Sequence, residues 1–258
     1  LEGSHHSHGT PLGEDLIKRA KAKLGFDENA NFIIDEDVKI RFLSAVELGD
    51  LAEAKWNKTL ENSGKKELLN KLLNPDFSKI EFPNFKGKDL ATRDSNGEIL
   101  NVLAKNLEGF LGGSADLAPS NKTELKAMGD FVEGKNIHFG IREHAMAAIN
   151  NAFARYGLFL PFSATFFIFS EYLKPAARIA ALMKLKHFFI FTHDSIGVGE
   201  DGPTHQPIEQ LSTFRAMPNF LSFRPADGVE NAKAWQVALK NECPSAFILS
   251  RQKLKALD

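Results

Sequence analysis

The chain has 258 residues, of which 43% are hydrophobic and 25% charged, a composition typical of a folded globular protein rather than a disordered one. Its formal net charge of −1 excludes recruitment to nucleic acid or to a membrane surface by bulk electrostatics, so an anionic ligand would need a local pocket. Because Cys243 is the only cysteine and no apolar run reaches the ~18 residues that span a bilayer, we expect no intrachain disulfide, no membrane insertion and a cytoplasmic location.

Residues 1–85 are predicted to be helical and to contain no strand. Apolar residues with a helical period predict helices at residues 14–24, 37–59 and 65–73. The segments Asn74-Pro75-Asp76 and Phe82-Pro83-Asn84 then interrupt the pattern. We therefore expect a helical tail followed by a linker, not a self-contained domain.

Residues 86–258 alternate between short apolar runs and helical stretches. The predicted strands cover residues 110–112, 137–139, 158–160, 188–192, 221–224 and 246–249. The predicted helices cover residues 95–107, 144–156, 170–185, 206–214 and 229–240. This alternation predicts an α/β fold, in which a mostly parallel sheet is covered by helices on both faces. Ligands of such sheets collect at the carboxyl ends of the strands, so the turns that follow strands are the places to search.

The first such turn covers residues 112–121. Gly112 and Gly113 would let the backbone approach a ligand closely, while Asp116 and Ser120 supply an acceptor and a hydroxyl. A tight turn closed by an aspartate side chain is the alternative interpretation.

The second turn, Gly140-Ile141-Arg142-Glu143-His144, precedes an alanine-rich helix. A helix N-terminus favours the ionised carboxylate of Glu143, whereas burial in a ligand pocket opposes ionisation. A carboxyl group under both influences can share a proton with a ligand nitrogen. On its own, the residue is more often an ordinary acidic residue at the start of a helix.

Aromatic residues follow the third predicted strand. Phe166, Phe169 and Tyr172 come directly after Ser163-Ala164-Thr165, where small side chains would leave room for a flat ligand. Stacking on a planar heteroaromatic ring would suit these residues. Core packing is the commoner role of phenylalanine in a chain with 22 of them.

Residues 192–207 form a polar loop after an apolar strand. The loop contains His193 and His205, three glycines and three acidic residues, one of which is Asp201. Because structural loops do not need so many ionisable groups, this density favours a functional site. Arg251, after the last strand, would clamp a phosphate or carboxylate, with a surface salt bridge as the alternative.

These turns, in this order, resemble those of the transketolase family, whose members depend on thiamine diphosphate. Residues 112–121, 140–144 and 192–207 carry the resemblance, which extends over essentially the whole chain. Composition alone leaves open an affinity-tag remnant or a metal-binding cluster for the histidines of residues 5–8, but residues 7–13 are similar to a family loop that contains His8. Deoxyxylulose-phosphate synthases and dehydrogenase beta subunits share the glutamate and the fold but not the full polar loop.

The resemblance implies a thiamine-diphosphate-binding fold with its pyrimidine domain at residues 86–258. Residues 1–85 would be the C-terminal end of the diphosphate-binding domain plus a helical linker. The family's Gly-Asp-Gly loop followed by an asparagine is not found in the sequence. The resemblance therefore implies a middle segment of a longer chain, with the ligands for magnesium, calcium or another divalent cation outside it.

The implied activity is transfer of a two-carbon ketol unit from a ketose phosphate to an aldose phosphate in the pentose phosphate pathway. The implied assembly is a homodimer with its active site at the subunit interface. A non-catalytic pyrimidine-binding or regulatory module is one alternative. A relative that forms dihydroxyacetone is another, and the use of formaldehyde rather than ribose 5-phosphate as acceptor would distinguish it.

Individual roles follow from the same resemblance. The implied catalytic residues are Glu143, which would hydrogen-bond the aminopyrimidine nitrogen, and the proton-moving His205 and His8. The implied cofactor-binding residues are Glu143, Phe166, Phe169, Tyr172, Asp116, Leu117 and His8. The implied substrate-binding residues are His8, Arg93, Ser120, His193, Asp201, His205 and Arg251, and no residue is implied to bind a metal.

Overall fold

A computed structural model describes residues 3–257, which fall into two compact units, Leu1–Gly64 and Lys65–Asp258. The first unit contains a short 3-10 turn, His5–Ser7, and the helices α1 (Glu14–Lys23) and α2 (Glu36–Ser63). Residues 3–64 include no strand and no buried side chain, so the predicted helical character is confirmed for this region. No helix within residues 3–257 is both long enough and apolar enough to cross a membrane.

The second unit is an α/β sandwich. Its helices are α3 (Lys66–Leu73), α4 (Thr92–Asn106), α5 (Ala118–Asn121), α6 (Glu143–Tyr156), α7 (Ser170–Leu182), α8 (Gln210–Arg215) and α9 (Gly228–Lys240). Its strands are β1 (Phe110–Ser114), β2 (Leu160–Phe166), β3 (Phe188–Thr192), β4 (Leu221–Phe223) and β5 (Ser245–Leu249). These strands form one parallel sheet in the order β1-β2-β3-β5-β4, which confirms the predicted fold class.

The alternation of side chains along β3 explains why both faces of the sheet are covered. Phe188 and Ile190 pack into a core with residues of α4 and α9, including Trp235. Phe189 and Phe191 point to the opposite face and pack with residues of α6, α7 and α8. A strand that buries both of its faces is usually apolar along most of its length, as β3 is from Phe188 to Phe191.

Two predicted strands differ from the structure. Residues 137–139 are irregular and only touch the sheet edge, where the Ile137 N–H donates to the Gly112 carbonyl oxygen at 2.8 Å. Gly140, with φ of 65°, turns the chain away directly afterwards. The strand expected at residues 158–160 begins at Leu160 and continues to Phe166, so the small residues before Phe166 are buried inside the sheet rather than beside a ligand space.

The paired glycines of β1 also have a different role from the expected one. They lie within the strand, and a Cβ atom on Gly113 would overlap the carbonyl oxygen of Ile137. A Cβ atom on Gly112 would likewise overlap the carbonyl oxygen of Phe162 on β2. The close approach that these glycines permit is therefore that of the protein's own backbone.

We expect the Gly113→Ala substitution to destabilise the second unit by ~1–3 kcal/mol, the usual cost of overpacking, because the added methyl group meets backbone that cannot move aside. Gly49→Ala in α2 is the matched control, since its Cβ would meet no atom within 4 Å. The control is expected to be neutral or stabilising by up to ~1 kcal/mol. Urea unfolding of both variants provides the measurement, and equal stabilities would contradict this account of β1.

Candidate active site

The carboxyl edge of the parallel sheet gathers the predicted site residues of the second unit. A helix that crosses over between parallel strands runs antiparallel to them, so the first turn of α6, between β1 and β2, lies at this same edge. The start of α4 is joined to the end of β5, where the Thr92 N–H donates to Ser250 Oγ at 3.0 Å and the Ser250 N–H donates to Thr92 Oγ1 at 2.7 Å. The residues concerned are Arg93, Asp116, Leu117, Ser120, Glu143, Phe166, Phe169, Tyr172, His193, Asp201, His205 and Arg251.

Glu143 is the first residue of α6 and is only 8% exposed. The neighbouring guanidinium of Arg142 donates instead to the Phe139 carbonyl oxygen, at 3.0 Å. Within the described part of the chain, no hydrogen bond or ion pair satisfies the Glu143 carboxylate. Its oxygens are not fully enclosed, so the carboxylate is open to a partner that the described residues do not supply.

A row of aromatic rings begins at the end of β2. The Phe166 and Phe169 rings are nearly parallel, with centroids 5.8 Å apart and an angle of 9°. The Tyr172 ring continues the row at 6.2 Å from Phe169 and is 65% exposed. His205 meets Phe169 edge-on at 5.3 Å, so an imidazole lies beside the row. These residues are brought together because a 3-10 turn, Phe167–Phe169, leads directly into α7.

His193 follows β3 in the left-handed conformation, with φ of 59°, and is only 3% exposed. Its ring stacks on Phe166, with centroids 3.6 Å apart. Burial is the main reason that the pKa of His193 is lowered to about 4, and the positive charges of Arg93 and Arg251 lower it further. Asp201 acts in the opposite direction. His193 is therefore neutral at pH 7.

Arg93 brings the expected anion-binding residues together. Its Nη1 atom donates to the Ser120 carbonyl oxygen at 2.9 Å and lies 3.4 Å from Nε2 of His193. Burial lowers the pKa of Arg93, and the charge of Arg251 lowers it further, although Asp94 acts to raise it. The Nε–H of Arg93 is buried without an acceptor among residues 3–257. Two neighbouring guanidinium groups with an unused donor are suited to binding an anion.

Asp194, which is not among the predicted site residues, fixes the start of the loop after β3. The Asp194 carboxylate accepts from Nε of Arg224 at 3.0 Å and from Nη2 at 2.9 Å. Ser195 donates to the same carboxylate at 3.2 Å. These contacts fix the start of the loop that carries Asp201 and His205.

Three predicted site residues, Asp116, Leu117 and His8, make no side-chain hydrogen bond with the described residues around His193. Asp116, with φ of 60°, and Leu117 lie before α5, and no hydrogen bond joins the Asp116 side chain to another described residue. His8 belongs to the first unit, where it is exposed and its N–H donates to the His5 carbonyl oxygen at 3.1 Å. In residues 3–257, no group of three or more His, Cys, Asp or Glu side chains is arranged to hold a metal ion.

Asn121 and Thr192 were not predicted as site residues. Both are fully buried, and the Thr192 hydroxyl donates to Asn121 Oδ1 at 2.6 Å. Thr192 also lies 2.9 Å from Nδ1 of His193. The sequence marks them only as polar residues at the ends of the turn at residues 112–121 and the loop at residues 192–207.

Comparison with known proteins identifies the family. Residues 88–256 match the model of the transketolase pyrimidine binding domain, and residues 1–74 match that of the transketolase thiamine diphosphate binding domain. The chain belongs to the transketolase family. The predicted resemblance is thereby confirmed.

Known transketolases are similar along nearly the whole chain. The transketolase of Bacillus subtilis (strain 168) is 45% identical over 271 residues, which cover 99% of this chain and 41% of that protein. The crystal structure of transketolase from Campylobacter jejuni has 83% identity and a TM-score of 0.96, and covers 99% of this chain and 40% of its own. The Pichia stipitis transketolase in complex with sedoheptulose 7-phosphate has 36% identity and a TM-score of 0.90 over 96% of this chain. The chain thus spans about two fifths of the length of these transketolases.

In a pH titration followed by NMR of the imidazole C–H signals, we expect His193 to titrate with a pKa of about 4. Arg93→Met removes a neighbouring positive charge and should raise that pKa, but not to the ordinary value near 6.5, because burial remains the main cause. Arg155→Met is the control, since Arg155 is exposed in the last turn of α6, at the end of the helix opposite Glu143, and should leave the pKa of His193 unchanged. An unmodified His193 that titrates at or above ~6.5 would contradict the buried, cationic surroundings described here.

Proposed function

We propose that this chain forms part of a transketolase that transfers a two-carbon ketol unit from a ketose phosphate to an aldose phosphate. Membership of the family supports this activity, as does the complex of the Pichia stipitis relative with sedoheptulose 7-phosphate. The observation that carries the proposal is that Glu143, a largely buried residue whose carboxylate has no partner among the described residues, lies at the same sheet edge as the cationic cluster around His193. Acid–base chemistry and anion binding are thus available at one edge.

The residues fit thiamine diphosphate, which, when bound, supplies the carbon that carries the two-carbon unit between sugars. The carboxyl group of Glu143 would hold a proton at the aminopyrimidine nitrogen, which is the partner that the described residues do not provide. The row of Phe166, Phe169 and Tyr172 offers aromatic faces to the pyrimidine ring. Asp116 and Leu117 would lie near the thiazolium ring.

The cluster at the ends of β3 and β5 is assigned to the sugar phosphate. The guanidinium groups of Arg93 and Arg251 would bind the phosphate together with Ser120 and His193. Asp201, an exposed acceptor close enough to His193 to raise its pKa, would accept a hydrogen bond from a sugar hydroxyl.

Two histidines are assigned to proton transfer at the reacting oxygens. His205 lies edge-on to the aromatic row, which puts an imidazole beside the proposed cofactor-binding surface. His8, in the first unit, is assigned the same role and contact with the cofactor, on the strength of the family match that covers residues 1–74.

We further propose that the active assembly is a homodimer with the site at the subunit interface. Exposed apolar residues form a stripe on α6, with Ile149 and Tyr156, and another on α7, with Tyr172 and Ile179. In each helix the two residues are seven positions apart and so lie on one face, which suits burial against a partner. Because α6 also carries Glu143, a partner on this face would lie close to the proposed site.

The remaining assignments concern domains, metal and location. We propose that residues 1–85 are the end of a diphosphate-binding domain plus a linker, and that residues 86–258 are the pyrimidine-binding domain, in line with the two family matches. A divalent cation such as magnesium or calcium would draw its ligands from residues other than those described. A cytoplasmic role in the pentose phosphate pathway is proposed from membership of the family, and a chain with a single cysteine is compatible with a reducing compartment.

We expect Glu143→Gln in the intact protein to lower the rate of two-carbon transfer by at least ~100-fold, the usual effect of losing a positioned proton-transfer group. The transfer is measured with a ketose phosphate donor and ribose 5-phosphate as acceptor, and formaldehyde replaces the acceptor in a parallel assay. Glu133→Gln is the matched control, because Glu133 is exposed, and it should leave the rate unchanged. Near-normal turnover by Glu143→Gln would refute the proposed role of this carboxyl group.

A further inference from the structure

The protonation state of His193 can be worked out from its neighbours. The Nη1 atom of Arg93 lies 3.4 Å from Nε2 of His193. A guanidinium group has only donors, so Nε2 must present a lone pair to it. The single proton of the neutral ring is therefore on Nδ1, the nitrogen that lies 2.9 Å from Thr192 Oγ1.

A chain of buried polar groups agrees with this assignment at each step. Nδ1 of His193 donates to the Thr192 hydroxyl, which donates to Asn121 Oδ1 at 2.6 Å. Nδ2 of Asn121 donates to Ser114 Oγ at 3.1 Å, and Ser114 lies 2.7 Å from the Thr123 hydroxyl. These four residues beyond His193 are all buried, so water does not compete for their hydrogen bonds.

The reverse orientation of the chain fails at its last step. If the Asn121 amide were turned around, its nitrogen would donate to Thr192, and the Thr192 hydroxyl would donate to Nδ1. The proton of the neutral His193 ring would then be on Nε2 and would face the donor of Arg93. Because two donors cannot satisfy each other, only the first orientation is consistent with all the contacts.

We propose that Thr192 and Asn121 are positioning residues that keep the proton of His193 on Nδ1. An anion that binds beside Arg93 and Arg251 then draws a second proton, taken from solvent, to Nε2. The Arg93 donor that faced Nε2 then donates to the anion instead, and Nε2 changes from an acceptor into a charged donor to the same anion, while Nδ1 keeps its acceptor. The inference rests on the proposed function insofar as that anion is the phosphate of the substrate.

The charges around His193 explain why the ring takes up a second proton only when the anion is bound. Arg93 at the start of α4 and Arg251 after β5 disfavour a positive imidazole, and burial disfavours it more. In the loop after β3, His205 also lowers the pKa of His193, whereas Asp201 raises it. A dianion offsets both guanidinium charges and accepts from Nε2–H, so its binding favours the protonated ring.

The first test reads the tautomer of His193 in the full chain without any anion. Long-range 1H–15N NMR at pH 7 should show a protonated Nδ1 and an unprotonated Nε2, with the signals assigned by their loss in His193→Gln. Thr192→Val removes the acceptor of the Nδ1 proton, so the single pattern should give way to a mixture. Thr192→Ser keeps the hydroxyl and should restore the wild-type pattern, which separates the loss of a hydrogen bond from a general disturbance of the fold.

The second test measures proton uptake with inorganic sulfate, whose charge stays constant near neutral pH, unlike that of a phosphate group. Calorimetry in two buffers of different ionisation enthalpy should show uptake of about one proton per sulfate at pH 6, with Kd rising by up to ~10-fold per pH unit. In Thr192→Val the doubly protonated ring would leave Nδ1–H buried without an acceptor, so uptake should fall below about half a proton. Thr192→Ser should again behave as the wild type.

Different failures have different meanings. A wild-type ring protonated on Nε2, or a Thr192→Val variant with unchanged tautomer and unchanged uptake, would overturn the positioning role. Sulfate binding by the wild type without proton uptake would overturn the second protonation step. Failure of sulfate to bind at all would contradict both that step and the proposed phosphate site, while the tautomer spectrum would still decide the positioning role.

Discussion

All five strands of the sheet run in the same direction, and this constraint brings the ends of distant segments to one edge. The exchange of hydrogen bonds between Thr92 and Ser250, 158 residues apart, fastens two of those ends together. Arg93 and Arg251 directly follow these two residues, so their charges are held close to one another and to His193. The cationic cluster is thus a consequence of strand direction and of two buried hydroxyl groups.

Most of the fold could be predicted from the sequence, because the helices show a helical period of apolar residues and β3 is an almost unbroken apolar run. β3 is apolar at nearly every position, as burial on both faces requires, whereas β2 contains Pro161 and three small residues that hid most of its length. Residues 137–139 have the composition of a strand, but their hydrogen bond to the sheet is the one from Ile137 to Gly112 on the edge strand β1. Their state depends on long-range contacts, which a local pattern does not reveal.

The residues of the candidate site could be predicted from the sequence only in part. Residue patterns marked the turns, but at Glu143 they favoured an ordinary acidic residue, and only the family resemblance indicated a cofactor-activating role. The position of Glu143, largely buried but with its carboxylate left open to an outside partner, is a feature of the structure that no local pattern contains. The hydrogen-bond chain through Thr192 and Asn121 could not be predicted from local patterns, because it joins residues 71 positions apart. Its significance depends on which nitrogen of His193 faces Arg93, which follows from the geometry alone.

In the proposed function, this sheet edge serves a thiamine-diphosphate-dependent two-carbon transfer. The most direct measurement is the rate of that transfer by the intact protein, from a ketose phosphate to ribose 5-phosphate, after removal of the cofactor and again after its return. We expect the rate to be lost on removal of the cofactor and to be restored by thiamine diphosphate. A rate that is the same with and without the cofactor, or no transfer when the cofactor is bound, would contradict it.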